Sequence, residues 1–251
     1  MKYNHPRYLF RRYEVIRLAK KGGHFLEIGP GNLSLAQDLL SKFSRGTLID
    51  FNTTEVEQIF NELKEHRKQR LKLIIADFSE YNQFNTKFDC VVACEVLEHI
   101  EIDGAFLQKT NKLLVDGGQL ILSVPARQKV WAKDDEIAGH YRRYEKEDLY
   151  DKLSEAGYSL IEIISYGFPF INIVRLARIS LAKIQYNEKS KWDKKNQSQQ
   201  SAFLIRRNPY INLLALFLNK YTLYPFNLFA VLFNSMDLSE GYVISARKSI
   251  N

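Results

Sequence analysis

The sequence predicts an α/β fold in which helices cover both faces of a mainly parallel sheet. Short apolar runs alternate with amphipathic segments from residue 24 to 166, and an apolar run at 241–249 restores the pattern. The runs are apolar on both faces, which indicates strands buried on both sides. A glycine loop at 29–31 follows the first run, as it does where a parallel strand leads into a helix.

The predicted elements follow one another in a regular order. A basic amphipathic helix is expected over residues 7–20, ahead of the first strand. Asp116-Gly117-Gly118 is expected to be a helix-to-strand turn, because glycine adopts positive φ without strain. The strands are predicted at 24–28, 46–50, 71–77, 88–94, 118–125, 159–166 and 241–249, and the intervening helices at 33–43, 54–69, 104–114 and 145–158.

The alternation stops between residues 167 and 238. Two apolar segments with interspersed basic residues, 168–185 and 211–233, flank a polar, low-complexity run. No uninterrupted apolar run there reaches the ~20 residues that span a bilayer. The segments fit a lid over an acceptor, a membrane-surface element or a dimer contact. We expect three parts: an N-terminal helical cap at 1–20, an α/β domain at 21–166 plus 239–251, and a helical insertion at 167–238.

Composition limits the partners and the setting. The chain has 251 residues, of which 45% are hydrophobic, enough to bury one large core. Cys90 and Cys94 share one apolar run, which favours a reducing, cytoplasmic setting without disulfides. The N-terminus lacks the apolar core of a secretory signal. The net charge of +7 favours anionic partners such as phosphate-bearing substrates, acidic lipid surfaces or nucleic acid, and does not choose among them. No basic stripe with interleaved aromatics marks a nucleic-acid site, and the oligomeric state is not determined.

The loop at residues 27–32 narrows the choice of cofactor. Loops of this kind hold NAD, nucleoside triphosphates or S-adenosylmethionine. Ser34 occupies the position of the third glycine in a dinucleotide fingerprint, and Glu27 brings a carboxylate to the loop. A carboxylate repels a pyrophosphate but attracts the cationic sulfonium and ammonium groups of S-adenosylmethionine. The loop therefore favours S-adenosylmethionine.

Carboxylates at two later strand ends complete the predicted cofactor site. Asp50 ends the second strand, where it can accept hydrogen bonds from both ribose hydroxyls. Asp77 ends the third strand and can accept from the adenine amino group, with Phe78 against the ring. The predicted cofactor-binding residues are Glu27, Gly29, Pro30, Gly31, Asn32, Asp50, Phe51, Asp77, Phe78, Cys94 and Glu95.

An ordered set of motifs resembles the class I S-adenosylmethionine-dependent methyltransferases. The motifs are EIGPG, LID, IIADF, FDCVVACEVLEHI and LLVDGGQLILSVPA. The resemblance implies a Rossmann-like seven-stranded sheet whose antiparallel last strand, GYVISARKS, lies between the fifth and sixth. VLEH followed by GHYRRY is similar to enzymes that methylate small molecules, quinone precursors and lipid-like acceptors. In the resembling enzymes an N-terminal aromatic and arginine segment closes over the cofactor. For Arg11, Arg12 and Tyr13, both this role and a solvated helix face stay open, and the solvated face is the favoured interpretation.

Acidic residues and histidines follow the fourth and fifth strands, at the edge where α/β proteins bind ligands. Glu95 and His99 are expected to share one face of a helical turn, with Glu98 adjacent and His140 over the same edge. These four residues predict a site for magnesium, manganese or zinc. EVLEH is similar to the metal motif of ubiquinone-biosynthetic O-methyltransferases and of small-RNA 2′-O-methyltransferases. Without a metal, His99 or His140 is the candidate general base.

The predicted function is transfer of a methyl group from S-adenosylmethionine to oxygen or nitrogen of a small or lipid-like acceptor. Two alternatives stay open: a non-catalytic membrane-surface or partner-binding protein that keeps the fold, and a metal-assisted RNA 2′-O-methyltransferase. Arg142 and Arg143 are either solvated or bind an anionic group of the acceptor. The insertion is expected to select the acceptor through its aromatic residues Phe168, Phe170, Phe203, Tyr210, Phe217, Tyr221, Tyr224, Phe226 and Phe229.

Overall fold

The computed structural model describes residues 6–51, 53–176 and 219–250. The chain divides into two compact units. The insertion unit takes its residues from Met1–Glu14, Pro125–Glu145 and Ile164–Tyr242. The strand unit takes its residues from Val15–Val124, Lys146–Ile163 and Val243–Asn251.

Seven strands form one sheet, in the order β3-β2-β1-β4-β5-β7-β6. Neighbouring strands from β3 to β5 pair in parallel, as expected for apolar runs connected by helices. The order and the helical connections confirm the predicted α/β fold class. The strands are β1 (Gly22–Ile28), β2 (Phe43–Asp50), β3 (Leu71–Ile75), β4 (Phe88–Cys94), β5 (Leu114–Pro125), β6 (Tyr158–Ser165) and β7 (Gly241–Lys248).

Strand β7 runs against its neighbours. The backbone N–H of Ala126, just after β5, donates to the carbonyl of Glu240, just before β7, at 2.9 Å. At the opposite end, the N–H of Ser249 donates to the carbonyl of Gly157, just before β6, at 3.0 Å. The end of β5 therefore meets the start of β7, and the end of β7 meets the start of β6. Both the position and the direction predicted for GYVISARKS are confirmed.

The helices differ from the predicted ones in two places. The helix predicted at 54–69 is two helices, because Lys64 has extended dihedral angles (φ −60°, ψ 138°) that interrupt the helical hydrogen bonds. A short helix precedes GHYRRY, where the sequence predicted only a loop. The helices are α1 (Pro6–Leu18), α2 (Ser34–Leu39), α3 (Thr53–Asn61), α4 (Glu65–Lys68), α5 (Asp103–Leu113), α6 (Lys133–Ala138), α7 (Lys146–Glu155) and α8 (Tyr224–Val231).

The predicted turn at Asp116-Gly117-Gly118 lies inside β5 rather than before it. The pairing of β4 with β5 shifts between Phe88 and Cys90, so the turn is an irregularity in the strand. Gly117 has φ +69°, a conformation that glycine adopts without a Cβ penalty. The glycine conformation was predicted correctly, whereas the start of the strand was not. Strand β3 also ends earlier than predicted, at Ile75, so Asp77 lies two residues beyond it.

The insertion unit is rich in aromatic contacts. Residues 170–176 are helical, and Phe170 stacks on Phe10 of α1 with ring centroids 5.7 Å apart. The ring of Phe170 also meets Phe226 and Phe229 of α8, edge to face, at 5.2 and 6.0 Å. These contacts join α1 to the helices that follow β6. Among the described residues, no helix has the length and apolar content required to cross a membrane.

The core of the strand unit is built from the apolar strands. Phe25, Leu26, Leu48 and Val91 are fully buried, as expected for strands covered on both faces.

His24 lies at the amino end of β1, where its Nε2 forms a hydrogen bond of 2.9 Å with Thr47 Oγ1. Burial of the His24 imidazole, reinforced by the charge of Arg45 and opposed by Asp89, lowers its pKa below the ordinary value.

Candidate active site

The glycine loop has an unusual backbone at the carboxyl end of β1. Gly29 and Gly31 have φ of +66° and +52°, and Leu33 has φ +59°. The N–H of Gly29 donates to the carbonyl of Ile49 at 2.9 Å, which attaches the start of the loop to β2. Asn32 Oδ1 accepts from the N–H of Ser34 at 3.0 Å and supports the start of α2. These contacts support the backbone conformation of the loop.

The two glycines have different surroundings. A Cβ on Gly29 would meet Val96 Cγ2 at 2.8 Å, so packing excludes a side chain there. A Cβ on Gly31 would meet nothing within 4 Å. Gly31 therefore faces open space, as expected where a ligand approaches the backbone closely. Pro30, between them, is buried.

The ends of β1 and β2 carry buried carboxylates. Glu27 pairs with Leu48 of β2 and Val92 of β4 in the sheet register and is 3% exposed. Asp50 is the last residue of β2 and is 9% exposed, whereas Phe51 next to it is 42% exposed. The structure thus brings Glu27, the glycine loop and Asp50 to the same edge of two adjacent strands, as the sequence predicted.

Asp77 and Phe78 follow β3 in different environments. Asp77 is half-buried, and its Oδ1 accepts from the N–H of Ser79 at 2.8 Å. The ring of Phe78 is buried against Phe106, with ring centroids 5.1 Å apart, and Lys109 Nζ lies 5.0 Å from its centroid. Burial lowers the pKa of Lys109, and the Asp77 carboxylate opposes this. Phe78 therefore packs in the core, while Asp77 keeps an accessible side.

Glu95 has a strained backbone directly after β4. Its φ is +57°, a region that a residue with a Cβ rarely adopts. Its N–H donates to the carbonyl of Ser123 at 2.9 Å, and its Oε1 accepts from Ser123 Oγ at 3.0 Å. Two contacts with β5 therefore orient this carboxylate, and strain of this kind is frequent at functional sites. The half-buried Cys94 precedes it and pairs with Ser123 in the register.

The expectation that Glu95 and His99 share one helical turn is wrong. Only Leu97–His99 are helical, as a single 3₁₀ turn, because the left-handed backbone of Glu95 cannot belong to a right-handed helix. Glu98 is fully buried and His99 is half-buried. The spacing of EVLEH therefore does not bring the side chains onto one face in the way that an α-helix would.

His140 belongs to a buried polar cluster in the insertion unit. Its Nδ1 lies 2.9 Å from Asp135 Oδ1, and Arg143 Nε lies 2.9 Å from both oxygens of the same carboxylate. The Asp135 side chain also accepts from the N–H of Ala132 at 2.9 Å, at the start of α6. Burial alone would raise the pKa of Asp135, but the hydrogen bonds from His140 and Arg143 outweigh it and hold that pKa far below its ordinary value.

Arg143 is a structural residue of this cluster. Its guanidinium is buried and also donates through Nη1 to the carbonyls of Ala126 and Glu240, at 3.1 and 3.3 Å. The first of the two alternatives for Arg143, a solvated charge, is therefore wrong. Arg142 is half-buried, with its guanidinium carbon 6.0 Å from the centroid of the Tyr141 ring.

Sequence reasoning missed Asp135 and Ser123. Asp135 lies five residues before His140, and the helix that presents it is too short to give a periodic signal. Ser123 appears in the sequence as one polar residue inside a buried strand, LILSVP, and this was the available signal. Both residues orient a predicted site residue through a hydrogen bond.

A family model described as a methyltransferase domain matches residues 1–163. Phosphoethanolamine N-methyltransferase 2 of Haemonchus contortus, solved with S-adenosyl-L-methionine, is similar with a TM-score of 0.60 at 15% identity over 96% of this chain. This chain spans 52% of that enzyme, which was also solved with phosphomonomethylethanolamine and S-adenosylhomocysteine.

Two further solved structures share the fold. The N-methyltransferase NodS of Bradyrhizobium japonicum, solved with S-adenosyl-L-homocysteine, has a TM-score of 0.50 at 21% identity, over 61% of this chain and 76% of its own. The [4+2]-cyclase SpnF has a TM-score of 0.57 at 17% identity, over 96% and 80%. A search of curated proteins found no match.

The similarity to a cyclase shows that this fold alone does not determine a reaction. The family model, in contrast, covers the glycine loop, the strand ends and His140. The chain therefore belongs to the methyltransferase-domain family.

Proposed function

We propose that this enzyme transfers the methyl group of S-adenosylmethionine to an oxygen or nitrogen of a small or lipid-like acceptor. The observation that carries the proposal is the loop after β1, where Gly31 faces open space and the buried carboxylates of Glu27 and Asp50 lie at the carboxyl ends of adjacent strands. Haemonchus contortus phosphoethanolamine N-methyltransferase 2 and NodS, which share the fold, are N-methyltransferases. Nitrogen and oxygen acceptors both remain within the proposal.

The residues around the loop fit the cofactor. Glu27 supplies negative charge opposite the cationic groups of S-adenosylmethionine, and Asp50 offers two acceptor oxygens to the ribose hydroxyls. Asp77 is proposed to accept from the adenine amino group, and the exposed ring of Phe51 is a surface for the base. Pro30, Asn32 and Cys94 belong to the proposed lining of this site. Phe78 supports Asp77 from the core.

The reaction requires positioning and one proton acceptor. The cofactor supplies a methyl group that leaves an electron-poor sulfur, so the acceptor lone pair forms the new bond to carbon as the carbon–sulfur pair returns to sulfur. An acceptor hydroxyl loses its proton as its oxygen attacks, whereas an ammonium group must lose a proton first, because only the neutral amine has a lone pair. The enzyme therefore accelerates the reaction mainly by holding the two reactants in line. A neutral imidazole is a suitable proton acceptor near neutral pH.

His140 is the proposed general base. The Asp135 carboxylate next to Nδ1 favours the tautomer with the proton on Nδ1, which leaves the lone pair of the neutral ring on Nε2. A carboxylate in this position also stabilises the imidazolium that forms when the base accepts a proton. Arg143 holds the carboxylate from the other side. His99 is the alternative base in the proposal.

We also propose that the acidic residues and histidines after the fourth and fifth strands bind a divalent ion. Glu95, Glu98, His99 and His140 are the proposed ligands, and two carboxylates with two imidazoles fit magnesium or manganese. The fully buried carboxylate of Glu98 fits this role, since buried charges in proteins are paired or coordinate metals. The ion would supply a positive charge that polarises an acceptor hydroxyl.

The insertion is proposed to select the acceptor. Phe168, Phe170, Phe226 and Phe229 form the aromatic contacts of the insertion unit, and Phe168 also meets Phe233 at 5.5 Å. An aromatic surface suits an apolar acceptor. Residues 167–238 are proposed to form a lid, a peripheral membrane contact or a dimer contact. Phe203, Tyr210 and Phe217 lie outside the described residues.

The cofactor assignment is tested by calorimetry with S-adenosylmethionine. Asp50→Asn should weaken binding about tenfold to a hundredfold, because a charged acceptor for two hydroxyls is lost. Glu57→Gln, on the exposed face of α3, is the matched control and should bind like the wild type. Equal affinity of Asp50→Asn and the wild type would contradict the proposal that Asp50 binds the ribose hydroxyls.

The acceptor class is tested by mass spectrometry. The enzyme is incubated with S-adenosylmethionine and, in turn, phosphoethanolamine, a catechol, a short-chain phosphatidylethanolamine and an RNA oligonucleotide. Formation of S-adenosylhomocysteine together with a product heavier by one methylene supports the proposal for the first three. Methylation of the oligonucleotide alone would contradict it.

A further inference from the structure

A cavity of about 330 Å³ lies within the insertion unit, between α1 and the start of α8. Its volume is at the lower end of the range of ligand sites in proteins, about 300–1,000 Å³. The family model ends at residue 163, so the α8 side of the cavity lies outside the part of the chain that the family shares. The cavity is lined by Leu9, Arg12, Tyr13, Lys220, Tyr221, Tyr224 and Asn227.

The charges around the cavity are positive. Arg12 of α1 and Lys220 before α8 contribute cationic side chains, and among the described lining residues there is no carboxylate. The nearest acidic residue in sequence is Glu14, which is 3% exposed, does not line the cavity and accepts a hydrogen bond of 2.7 Å from Asn234 Nδ2. The lining favours an anion over a cation or a neutral group.

The walls between these cations are aromatic. Tyr13 and Tyr224 meet edge to face with ring centroids 6.1 Å apart, and Lys220 Nζ lies 5.3 Å from the centroid of the Tyr221 ring. Tyr221 is 76% exposed and Tyr224 is 51% exposed, so a ligand would cover a large apolar surface. The cavity suits an anionic group joined to an apolar or aromatic body.

The segment that carries Lys220 is ordered by its own hydrogen bonds. Asn219 Oδ1 accepts from the N–H groups of Tyr221 and Thr222 at 2.9 and 3.2 Å. This turn leads into α8, whose first residue, Tyr224, lines the cavity. The amino end of a helix carries partial positive charge, which adds to the preference for an anion.

We propose that this cavity is a binding site for a carboxylate or phosphate monoester carried on an apolar or aromatic body, distinct from the cofactor site. The two cations bind the anionic group, and the rings of Tyr13, Tyr221 and Tyr224 pack against the body. The lining shares Tyr221 and Tyr224 with the aromatic residues expected to select the acceptor, and Arg12 and Tyr13 with the N-terminal segment. It contains none of the proposed catalytic, metal-binding or cofactor-binding residues of the sheet edge.

The test uses two fluorescent probes with the full-length protein. 8-Anilinonaphthalene-1-sulfonate carries an anion on an aromatic body, and N-phenyl-1-naphthylamine has the same body without the charge. The variant Arg12→Gln/Lys220→Gln should bind the sulfonate about tenfold or more weakly than the wild type, because charge-assisted hydrogen bonds are lost. Its affinity for the neutral probe should not change.

The control variant is Arg17→Gln, which removes an exposed charge from the same helix but outside the lining. It should bind both probes like the wild type. Sodium phenyl phosphate should displace the sulfonate from the wild type, whereas S-adenosylmethionine should not. Unchanged sulfonate binding in the double variant, or displacement of the probe by S-adenosylmethionine, would overturn the proposal.

Discussion

His140 Nδ1 and Asp135 Oδ1 are 2.9 Å apart in a buried cluster that Arg143 closes from the other side. Only 8% of His140 and 1% of Asp135 are exposed, so water does not compete for this hydrogen bond. A histidine with its Nδ1 next to a carboxylate has a defined orientation and tautomer.

Asp135→Asn should lower kcat by about 10²–10³, because general-base catalysis by an oriented imidazole is of this size. The affinity for S-adenosylmethionine should stay unchanged, since Asp135 is not among the proposed cofactor-binding residues. Single-turnover rates and calorimetry measure the two quantities separately. Glu136→Gln, which removes only the surface ion pair with Lys133, is the control. An unchanged kcat in Asp135→Asn would rule out the role of the pair.

The variants Gly29→Ala and Gly31→Ala should distinguish a glycine required for packing from a glycine that lies next to the ligand. Both positions have positive φ, which costs an alanine about 1–2 kcal/mol. Gly29→Ala should lose more stability, because its Cβ also meets Val96 Cγ2. Gly31→Ala should lose less stability but bind S-adenosylmethionine at least about tenfold more weakly, since its methyl enters the space beside the loop. Urea unfolding and calorimetry measure these effects. Wild-type affinity in Gly31→Ala would place the ligand elsewhere.

Arg143→Met should destabilise the fold by about 3–5 kcal/mol, because it leaves the Asp135 carboxylate buried without its cationic partner. The free energy of unfolding in urea measures this loss. Lys129→Met is the control, and its effect should lie within about 0.5 kcal/mol because Lys129 is an exposed residue of the same unit. Equal stability of the two variants would show that the Asp135 charge finds another partner.

His24 should make the protein less stable in mild acid. Its pKa is lowered in the folded state, first by burial, so the unfolded chain binds the proton more tightly. The contribution is fully present above the unfolded pKa of about 6.5 and is lost as the pH falls through the lower folded pKa. A proton NMR titration of the imidazole gives the folded pKa.

The stability test for His24 compares urea midpoints at neutral pH and at the acidic end of the NMR titration. His24→Gln should lose less stability between the two pH values than the wild type. His66→Gln, at an exposed histidine of α4, should lose as much as the wild type. A folded pKa at or above the ordinary value would contradict the prediction.

Removal of divalent ions tests the metal proposal. If Glu95, Glu98, His99 and His140 hold an ion, a chelator should abolish turnover, and added magnesium or manganese should restore it. Calorimetry with manganese gives a readout independent of activity, and Glu98→Gln should weaken this binding by about tenfold or more. Full activity in excess chelator, with no manganese binding, would leave only an acid–base role for the histidines.

Much of the fold was predictable from local patterns. Buried strands such as FDCVVAC appear as apolar runs, and the strand order follows from alternation with helices together with the resemblance. The break between α3 and α4 was not predictable, because the helical pattern continues through Lys64 while the backbone there is extended. The same applies to α6, which at six residues is shorter than two helical turns.

The fold class and the carboxylates at the ends of β1 and β2 were predictable from the sequence, because they depend on the order of apolar runs and on residue types. The position and direction of β7 were predicted from the resemblance to known methyltransferases. The left-handed backbone of Glu95, the partner of His140 and the cavity beside Lys220 became apparent only in the tertiary structure. Each of these depends on contacts between segments distant in the chain or on a backbone conformation imposed by neighbouring strands. Local spacing carries no information about such contacts, because the energy that selects them comes from packing and burial of the whole unit.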